Sequence, residues 1–433
     1  MKSPELREGL PEDVGMDPVR IRRLRELIGG WVKCGDTPSV VALVARRGVI
    51  VWHEAFGVRR YGDPTSTLHP DSIFPIASCS KPLTAAAVMC LVDDGLIGLN
   101  RPIIDYVPEW DVPNVQWLVE ARVADLLCHT SGIDDLELGS FIAAAAQRSP
   151  ELAPPSPGQH PLLNQRIQLA AGAPLLRRPG TALLYSNFGY MLLGDIVRRV
   201  SGVPFWQFVQ SRLFEPLGMH DSYFVLPPEL RERRVYRGPG MPATEPSPIH
   251  RGIDSPEYSE LGLASSSAAS TARDLAVFLQ MFLNRGSYGG RQILSRASVA
   301  AMTSSQLDDS IPAIMPVIRD GKRVEIEFRG ASYGYGLFIY APGGRAVLNG
   351  SLASPSSFWA CRLWWDIHLG RPRTRTRRGL SQRLAAAEPG HRRDEFRSVP
   401  ERRLRRDRGS VKIWAGFAML RQGLFEHGPL LRG

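Results

Sequence analysis

A serine followed three residues later by a lysine is the most chemically informative pair in this 433-residue sequence. Residues 74–82 read FPIASCSKP, and an apolar run from Leu83 to Val92 follows. Pro82 fits a helix only in its first turn, so Ser78 lies at the helix start with Lys81 on the same face. A serine hydroxyl needs a base to become a nucleophile, and a helix N-terminus favours developing negative charge. The pair therefore predicts nucleophilic catalysis by Ser78, with Lys81 as the base.

Lysine usage supports this role for Lys81. The chain has five lysines and 48 arginines. Arginine keeps its proton in proteins, whereas a buried lysine can titrate near neutrality. A chance Ser-x-x-Lys on an exposed helix start is the alternative, and the spacing alone does not exclude it.

The composition is that of an ordinary globular protein, with 43% hydrophobic and 22% charged residues. No stretch is long and apolar enough to span a membrane. The N-terminus has no apolar signal region, so we expect a cytoplasmic protein. The five cysteines are odd in number and have no metal-ligand spacing. The sequence therefore predicts no disulfide framework, no metal and no cofactor.

The net charge of +10 is concentrated at one end of the chain. From Cys361 to the C-terminus, 17 Arg and one Lys stand against seven acidic residues, and the preceding 360 residues are close to neutral. A basic surface is the usual footprint of nucleic-acid binding, but here only the tail has it. We therefore do not expect a nucleic-acid partner.

The chain alternates between strand and helix signals. Asp17 to Ile28 has a helical pattern with Asp17 as the cap, and Asp274 to Leu283 has another. Two β-rich runs, Ser39–Arg46 and Val49–Phe56, are joined at Arg47-Gly48, which predicts a hairpin. Later runs with strand patterns are Leu337–Tyr340 and Ala346–Leu348.

A second motif, Tyr185-Ser186-Asn187, begins another helical run. The order of strand pair, Ser78-x-x-Lys81 and Tyr185-x-Asn187 resembles the serine β-lactamase and penicillin-binding-protein superfamily. Within it, the Tyr-x-Asn form is similar to class C β-lactamases, DD-peptidases and family VIII carboxylesterases. The resemblance runs from about residue 10 to residue 358. Its supporting stretches are Leu126-Leu127-x-His129-Thr130-Ser131-Gly132, Pro179-Gly180, Leu192-Leu193-Gly194, Pro216-Leu217-Gly218-Met219 and Leu294-Ser295.

The resemblance implies a role for each motif residue. Ser78 would attack a carbonyl carbon while Lys81 takes its proton. Tyr185 would relay a proton to the leaving group, and Asn187 would hold the substrate or Lys81. The oxyanion would be bound by the Ser78 backbone N–H and by an N–H from a sheet-edge strand. We expect His129 to be a structural hydrogen-bonding residue and not a catalytic one.

The implied fold class is α/β (α+β), with a β-lactamase/transpeptidase-like, mostly antiparallel sheet flanked by helices. An antiparallel sheet also follows from the opening hairpin and from the late strands, which have no crossover helices between them. We expect residues 1–84 and 262–360 to form a discontinuous α/β domain and residues 85–261 to form an inserted, mainly helical domain. Residues 361–433 form an Arg-rich tail that is irregular or frameshifted.

The third motif of the family, K-T-G, H-x-G or W-x-G, is expected shortly after Phe358, where residues 359–366 read WACRLWWD. Residues 250–252 (HRG) come too early and residues 414–416 (WAG) very late. Residues 368–370 (HLG) are best placed, but no apolar strand follows them.

A frameshift after Phe358 is one explanation. Reading one base later, the codon of Trp359 forces glycine and those of Trp364 and Trp365 force Gly-Gly, and codon choices permit Gly-His-Ala-Gly-Ser-Gly-Gly across residues 359–365. That sequence resembles the missing motif. The alternative is a lineage-specific basic extension, and resequencing the locus distinguishes the two.

Together these features predict a serine hydrolase that acts through an acyl-enzyme on Ser78. We expect an esterase or transesterase for small-molecule substrates, because the substrates of lactamases and cell-wall peptidases lie outside the cytoplasm. A β-lactamase or DD-peptidase that transfers amide acyl groups is the first alternative. An inactive, binding-only homologue without the third motif is the second. The sequence has no signal for an oligomeric state.

Overall fold

A computed structural model of the chain describes residues 5–148, 151–236, 238, 252, 255–319, 322–328, 330–339, 358–359 and 412–416. These residues belong to one compact unit, Met1–Arg362 with Val411–Met419. Leu363–Ser410 and Leu420–Gly433 make up a second unit, which lies outside the described residues. The predicted division into an α/β domain and an inserted helical domain stays a prediction.

The described strands are β1 (Arg7–Glu8), β2 (Ser39–Arg46), β3 (Val49–Gly57), β4 (Phe74–Pro75), β5 (Leu183–Leu184), β6 (Ala269–Ser270), β7 (Ser287–Tyr288), β8 (Arg291–Gln292), β9 (Ala313–Arg319), β10 (Lys322–Phe328), β11 (Phe338–Ile339), β12 (Phe358–Trp359) and β13 (Lys412–Gly416). The described helices are α1 (Pro18–Lys33), α2 (Ser80–Asp93), α3 (Val115–Glu120), α4 (Val123–Cys128), α5 (Asp135–Gln147), α6 (Pro161–Ala170), α7 (Asn187–Ser201), α8 (Phe205–Val209), α9 (Glu215–Leu217), α10 (Ala272–Leu283) and α11 (Arg296–Thr303).

The largest described sheet has the strand order β1-β3-β2-β13. Its centre is the predicted hairpin of β2 and β3, whose connecting residues Arg47 and Gly48 both have positive φ angles. Such angles give the turn a twist that matches the twist of the flanking strands. Among the pairings between the described strands, those of β1 with β3 and of β5 with β9 are parallel and the others are antiparallel. The predicted mostly antiparallel sheet and the α/β fold class are confirmed.

Helix α2 is the central helix of the core. Its residues from Ser80 to Leu91 are all buried, which is the pattern of a helix enclosed on every side. It packs against α7, α8 and α11. As predicted, Pro82 lies in its first turn, and the helix ends at Asp93, just before Gly95. Among the described residues, no helix is long and apolar enough to cross a membrane.

Two features differ from the sequence-based expectations. Within the tail expected to be irregular, Lys412–Gly416 form β13, which pairs with β2 in antiparallel register. Residues 414–416, set aside as a misplaced third motif, therefore have a place in the main sheet. The β9–β10 hairpin was not predicted, although Asp320-Gly321 between two β-rich runs is a typical hairpin signal.

Candidate active site

Ser78 lies in a single 3₁₀ turn, Ala77–Cys79, between β4 and α2. The preceding residue, Ala77, has a φ angle of 49°, which is uncommon for a residue with a side chain. Such strain persists only where surrounding contacts fix it. Here the Ser80 hydroxyl donates to the Ala77 carbonyl at 2.6 Å and accepts from the Ala268 N–H at 3.0 Å. These contacts hold the half-buried Ser78 at the start of α2.

Lys81 is 1% exposed, and its side-chain nitrogen contacts several oxygen atoms. Its Nζ lies 2.9 Å from Asn187 Oδ1 and 3.0 Å from the Ser265 carbonyl oxygen. The Ser78 Oγ lies 3.5 Å away, at the outer limit of a hydrogen bond. The Tyr185 ring centroid lies 4.7 Å from the same nitrogen, close enough for a cation–π contact. All four sequence-predicted residues therefore meet around one buried nitrogen.

Asp135 fixes the start of α7, where Tyr185 and Asn187 lie. Its carboxylate accepts hydrogen bonds from the Asn187 N–H at 2.6 Å, the Phe188 N–H at 3.3 Å and the Ser186 hydroxyl at 2.7 Å. A carboxylate is favourable here because the first N–H groups of a helix have no partner within it and carry the positive end of its dipole. Asp135 thereby orients the backbone of Asn187, whose side chain contacts Lys81.

His129 lies against Tyr185, with ring centroids 4.2 Å apart. Its Nδ1 accepts a hydrogen bond from the Ser186 N–H, and its carbonyl oxygen accepts one from the Leu184 N–H. Burial, together with the charge of Lys81, holds the pKa of His129 well below its ordinary value. The imidazole is therefore neutral at pH 7. These contacts support the predicted structural role, because they hold the chain on both sides of Tyr185.

The third-motif candidates are only partly covered by the described residues. Phe358 and Trp359 form β12 and pair with β11. Residues 368–370, and all of residues 250–252 except Gly252, lie outside the described residues. Of the segment affected by the frameshift hypothesis, only Trp359 and Lys412–Gly416 are described. The second oxyanion donor, expected from a strand after Phe358, is therefore not assigned.

Sequence reasoning missed the roles of Asp135 and of the Ser265 carbonyl. The sequence carries a cue for Asp135, because this residue lies only three positions after the His129–Gly132 stretch that supports the family resemblance. No local signal identifies the Ser265 carbonyl as a Lys81 ligand, because any residue supplies a carbonyl. Nearby polar side chains do explain its position: the Thr84 hydroxyl donates to the Ala264 carbonyl at 2.7 Å and so holds this segment along α2.

A sequence model of the Beta-lactamase family matches residues 24–366, and the chain belongs to this family. An uncharacterized protein of Mycobacterium tuberculosis (strain CDC 1551 / Oshkosh) is 31% identical, over 64% of this chain and 69% of its own length. A proposed D-alanyl-D-alanine carboxypeptidase of Escherichia coli (strain K12) is 26% identical, over 71% of this chain and 74% of its own.

Solved structures show the same fold. EstCE1, a hydrolase with promiscuous acyltransferase activity, aligns with a TM-score of 0.58 and 20% identity, over 75% of this chain and 83% of its own. The octameric penicillin-binding protein homologue from Pyrococcus abyssi has a TM-score of 0.54 and 24% identity. That match covers 74% of this chain and 65% of the Pyrococcus chain. The predicted superfamily and its β-lactamase/transpeptidase-like fold are confirmed.

Proposed function

We propose that this protein is a serine hydrolase that transfers acyl groups through an acyl-enzyme on Ser78, with esters as its main substrates. The observation that carries the proposal is the buried Lys81 side-chain nitrogen, which contacts Ser78 Oγ, Asn187 Oδ1 and the Tyr185 ring. A buried lysine within reach of a serine hydroxyl is the arrangement that general-base activation needs.

In the first step, neutral Lys81 removes the Ser78 hydroxyl proton as Oγ bonds to the substrate carbonyl carbon. The carbonyl electron pair moves to oxygen, and the Ser78 N–H stabilises the resulting charge. The oxygen's electron pair then re-forms the carbonyl and the alcohol is expelled, and the alcohol receives through Tyr185 the proton that Lys81 took from Ser78. Water repeats the sequence on the acyl-enzyme and releases the acid.

Ester cleavage is favoured over amide cleavage because an alcohol leaves more readily than an amine. Ester cleavage therefore needs less rate enhancement from the site, in which the third motif is not assigned. Amide acyl transfer, as in a β-lactamase or DD-peptidase, is the second candidate. The name of the Escherichia coli relative favours it.

The test compares turnover of p-nitrophenyl acetate with turnover of nitrocefin, alongside labelling by a fluorophosphonate probe. We expect labelling and ester turnover that Ser78→Ala abolishes. Nitrocefin turnover without ester turnover would reverse the order of the two candidates. A folded wild-type protein that the probe does not label favours the inactive, binding-only alternative.

A further inference from the structure

The β9–β10 hairpin lies beside the segment that carries Tyr185. Strand β5 ends one residue before Tyr185 and pairs in parallel with β9, Leu183 opposite Ala313 and Leu184 opposite Ile314. The next position in this register puts Met315 beside Tyr185. Since paired residues in adjacent strands point to the same face, the face that includes Ala313 and Met315 is the face of Tyr185.

The two faces of this hairpin differ in chemistry. The register of β9 and β10 puts six apolar residues on the face shared with Tyr185, which we call the apolar face. They are Ala313, Met315, Val317, Val324, Ile326 and Phe328; the remaining pair on this face, Arg319 and Lys322, is charged and lies next to the turn. The other face carries Ile314, Pro316, Ile318, Arg323, Glu325 and Glu327, half of which are charged. In agreement with this alternation of side chains between the two faces, Ile314 packs with Ala182 and Leu184 in a separate small cluster.

The charged face is fastened to the body of the protein. Arg323 Nη2 lies 2.8 Å from a carboxylate oxygen of the buried Asp134, and Arg323 Nη1 lies 3.5 Å from Glu137. Arg177 also pairs with Glu325. Asp134 directly precedes Asp135, which caps the helix of Asn187. The hairpin is therefore held at two points next to the candidate site.

The apolar face is left partly open by this arrangement. Met315, nearest to Tyr185, is buried, and Val317 is half-buried. Val324, opposite Val317, is 40% exposed, and Phe328, opposite Ala313 at the other end of the face, is 38% exposed. An apolar strip therefore runs outward from the side of the site on which Tyr185 lies.

We infer that the apolar face of the β9–β10 hairpin binds the alcohol part of the ester and selects substrates with an apolar alkyl leaving group. The inference rests on the proposed function, in which Tyr185 passes a proton to the leaving group. A group bonded to that oxygen extends past Tyr185, where Val317 and Val324 form a cross-strand pair. A charged group beside these two valines would lose its hydration.

The test measures kcat/KM for ethyl and hexyl acetate with the wild type and with the double variant Val317→Thr, Val324→Thr. Threonine keeps the β-branched shape of valine but exposes a hydroxyl. A fully buried methylene raises kcat/KM about fourfold, and a methylene that contacts only one wall raises it about twofold. Hexyl acetate has four more methylenes than ethyl acetate, so we expect its kcat/KM to be about 16-fold higher in the wild type. The double variant should lose most of this preference.

Ile318→Thr is the matched control, because Ile318 is 62% exposed on the opposite face of the same hairpin. It should leave the chain-length preference unchanged. A second series, p-nitrophenyl acetate to hexanoate, varies only the acyl part. The dependence of kcat/KM on acyl length should be the same in all three proteins. Partitioning of the acyl-enzyme between hexanol and water gives an independent readout. The double variant should transfer less acyl group to hexanol.

The inference is overturned if the double variant keeps the alcohol preference or changes only the acyl series. The proposed ester hydrolysis would not be affected by that result. Absence of fluorophosphonate labelling and of all ester turnover in the wild type is a different result. It refutes the proposed function, and with it the inference.

Discussion

Replacing Lys81 with arginine separates its charge from its ability to act as a base. Arginine keeps a positive charge beside Ser78 and Asn187 but does not release its proton. Losing a general base costs roughly 10²- to 10⁴-fold in rate, so fluorophosphonate labelling of Ser78 should slow by that factor. The guanidinium must also fit between the rings of Tyr185 and Tyr190, whose centroids lie 4.7 and 5.6 Å from the lysine nitrogen. We expect this overpacking to lower the free energy of unfolding by about 1–3 kcal/mol.

The assay follows the labelling rate and the melting temperature of the same preparations. Ser78→Ala sets the baseline for labelling, and Lys33→Arg, an exposed exchange at the end of α1, is the matched control. The control should label at the wild-type rate. If Lys81→Arg is folded and labels within about fivefold of the wild type, Lys81 is not the base and the proposed mechanism is wrong.

Four further predictions concern His129, two buried carboxylates and the tail. His129→Phe leaves the buried Ser186 N–H without its acceptor, so unfolding free energy should fall by ~1–3 kcal/mol and kcat by roughly 10-fold; an unchanged kcat contradicts a positioning role. Burial raises the pKa of Asp274 from 3.8 to about 6, so the folded state binds this proton more tightly and stability falls as pH rises through that window. Asp274→Asn should therefore stabilise the protein by up to about 3 kcal/mol above pH 6 and by almost nothing below pH 3.8, as denaturant titrations at several pH values can measure. Asp195→Asn weakens the pairing of the buried Arg198 and should cost ~3 kcal/mol in the same titrations. Restoring the family-like reading frame of the third motif should raise both the melting temperature and the rate of ester turnover. If the protein with the present sequence is soluble, monomeric and as fast as the frame-restored protein, the frameshift hypothesis is wrong.

Local signals predicted the elements whose residues lie close together in the sequence. The bounds of β2 agree with the predicted Ser39–Arg46, and the Asp17 carboxylate caps α1 as expected, accepting from the Val19 N–H. Helix α1 continues past the predicted end at Ile28, because Val32 packs with Ile28 and Val40 in one cluster. This apolar packing outweighs the low helix propensity of the two glycines at positions 29 and 30.

The pair of Ser78 and Lys81 was determined by sequence alone, because a spacing of three residues at a helix start brings two side chains together. The other ligands of Lys81 were decided by tertiary structure. Asn187 lies 106 positions away and Ser265 lies 184 positions away. Their approach depends on how α7 and the 264–268 segment pack on α2, and no spacing within a short window encodes such packing. The same holds for the apolar face of the hairpin, which meets Tyr185 only because β9 pairs with the short strand β5.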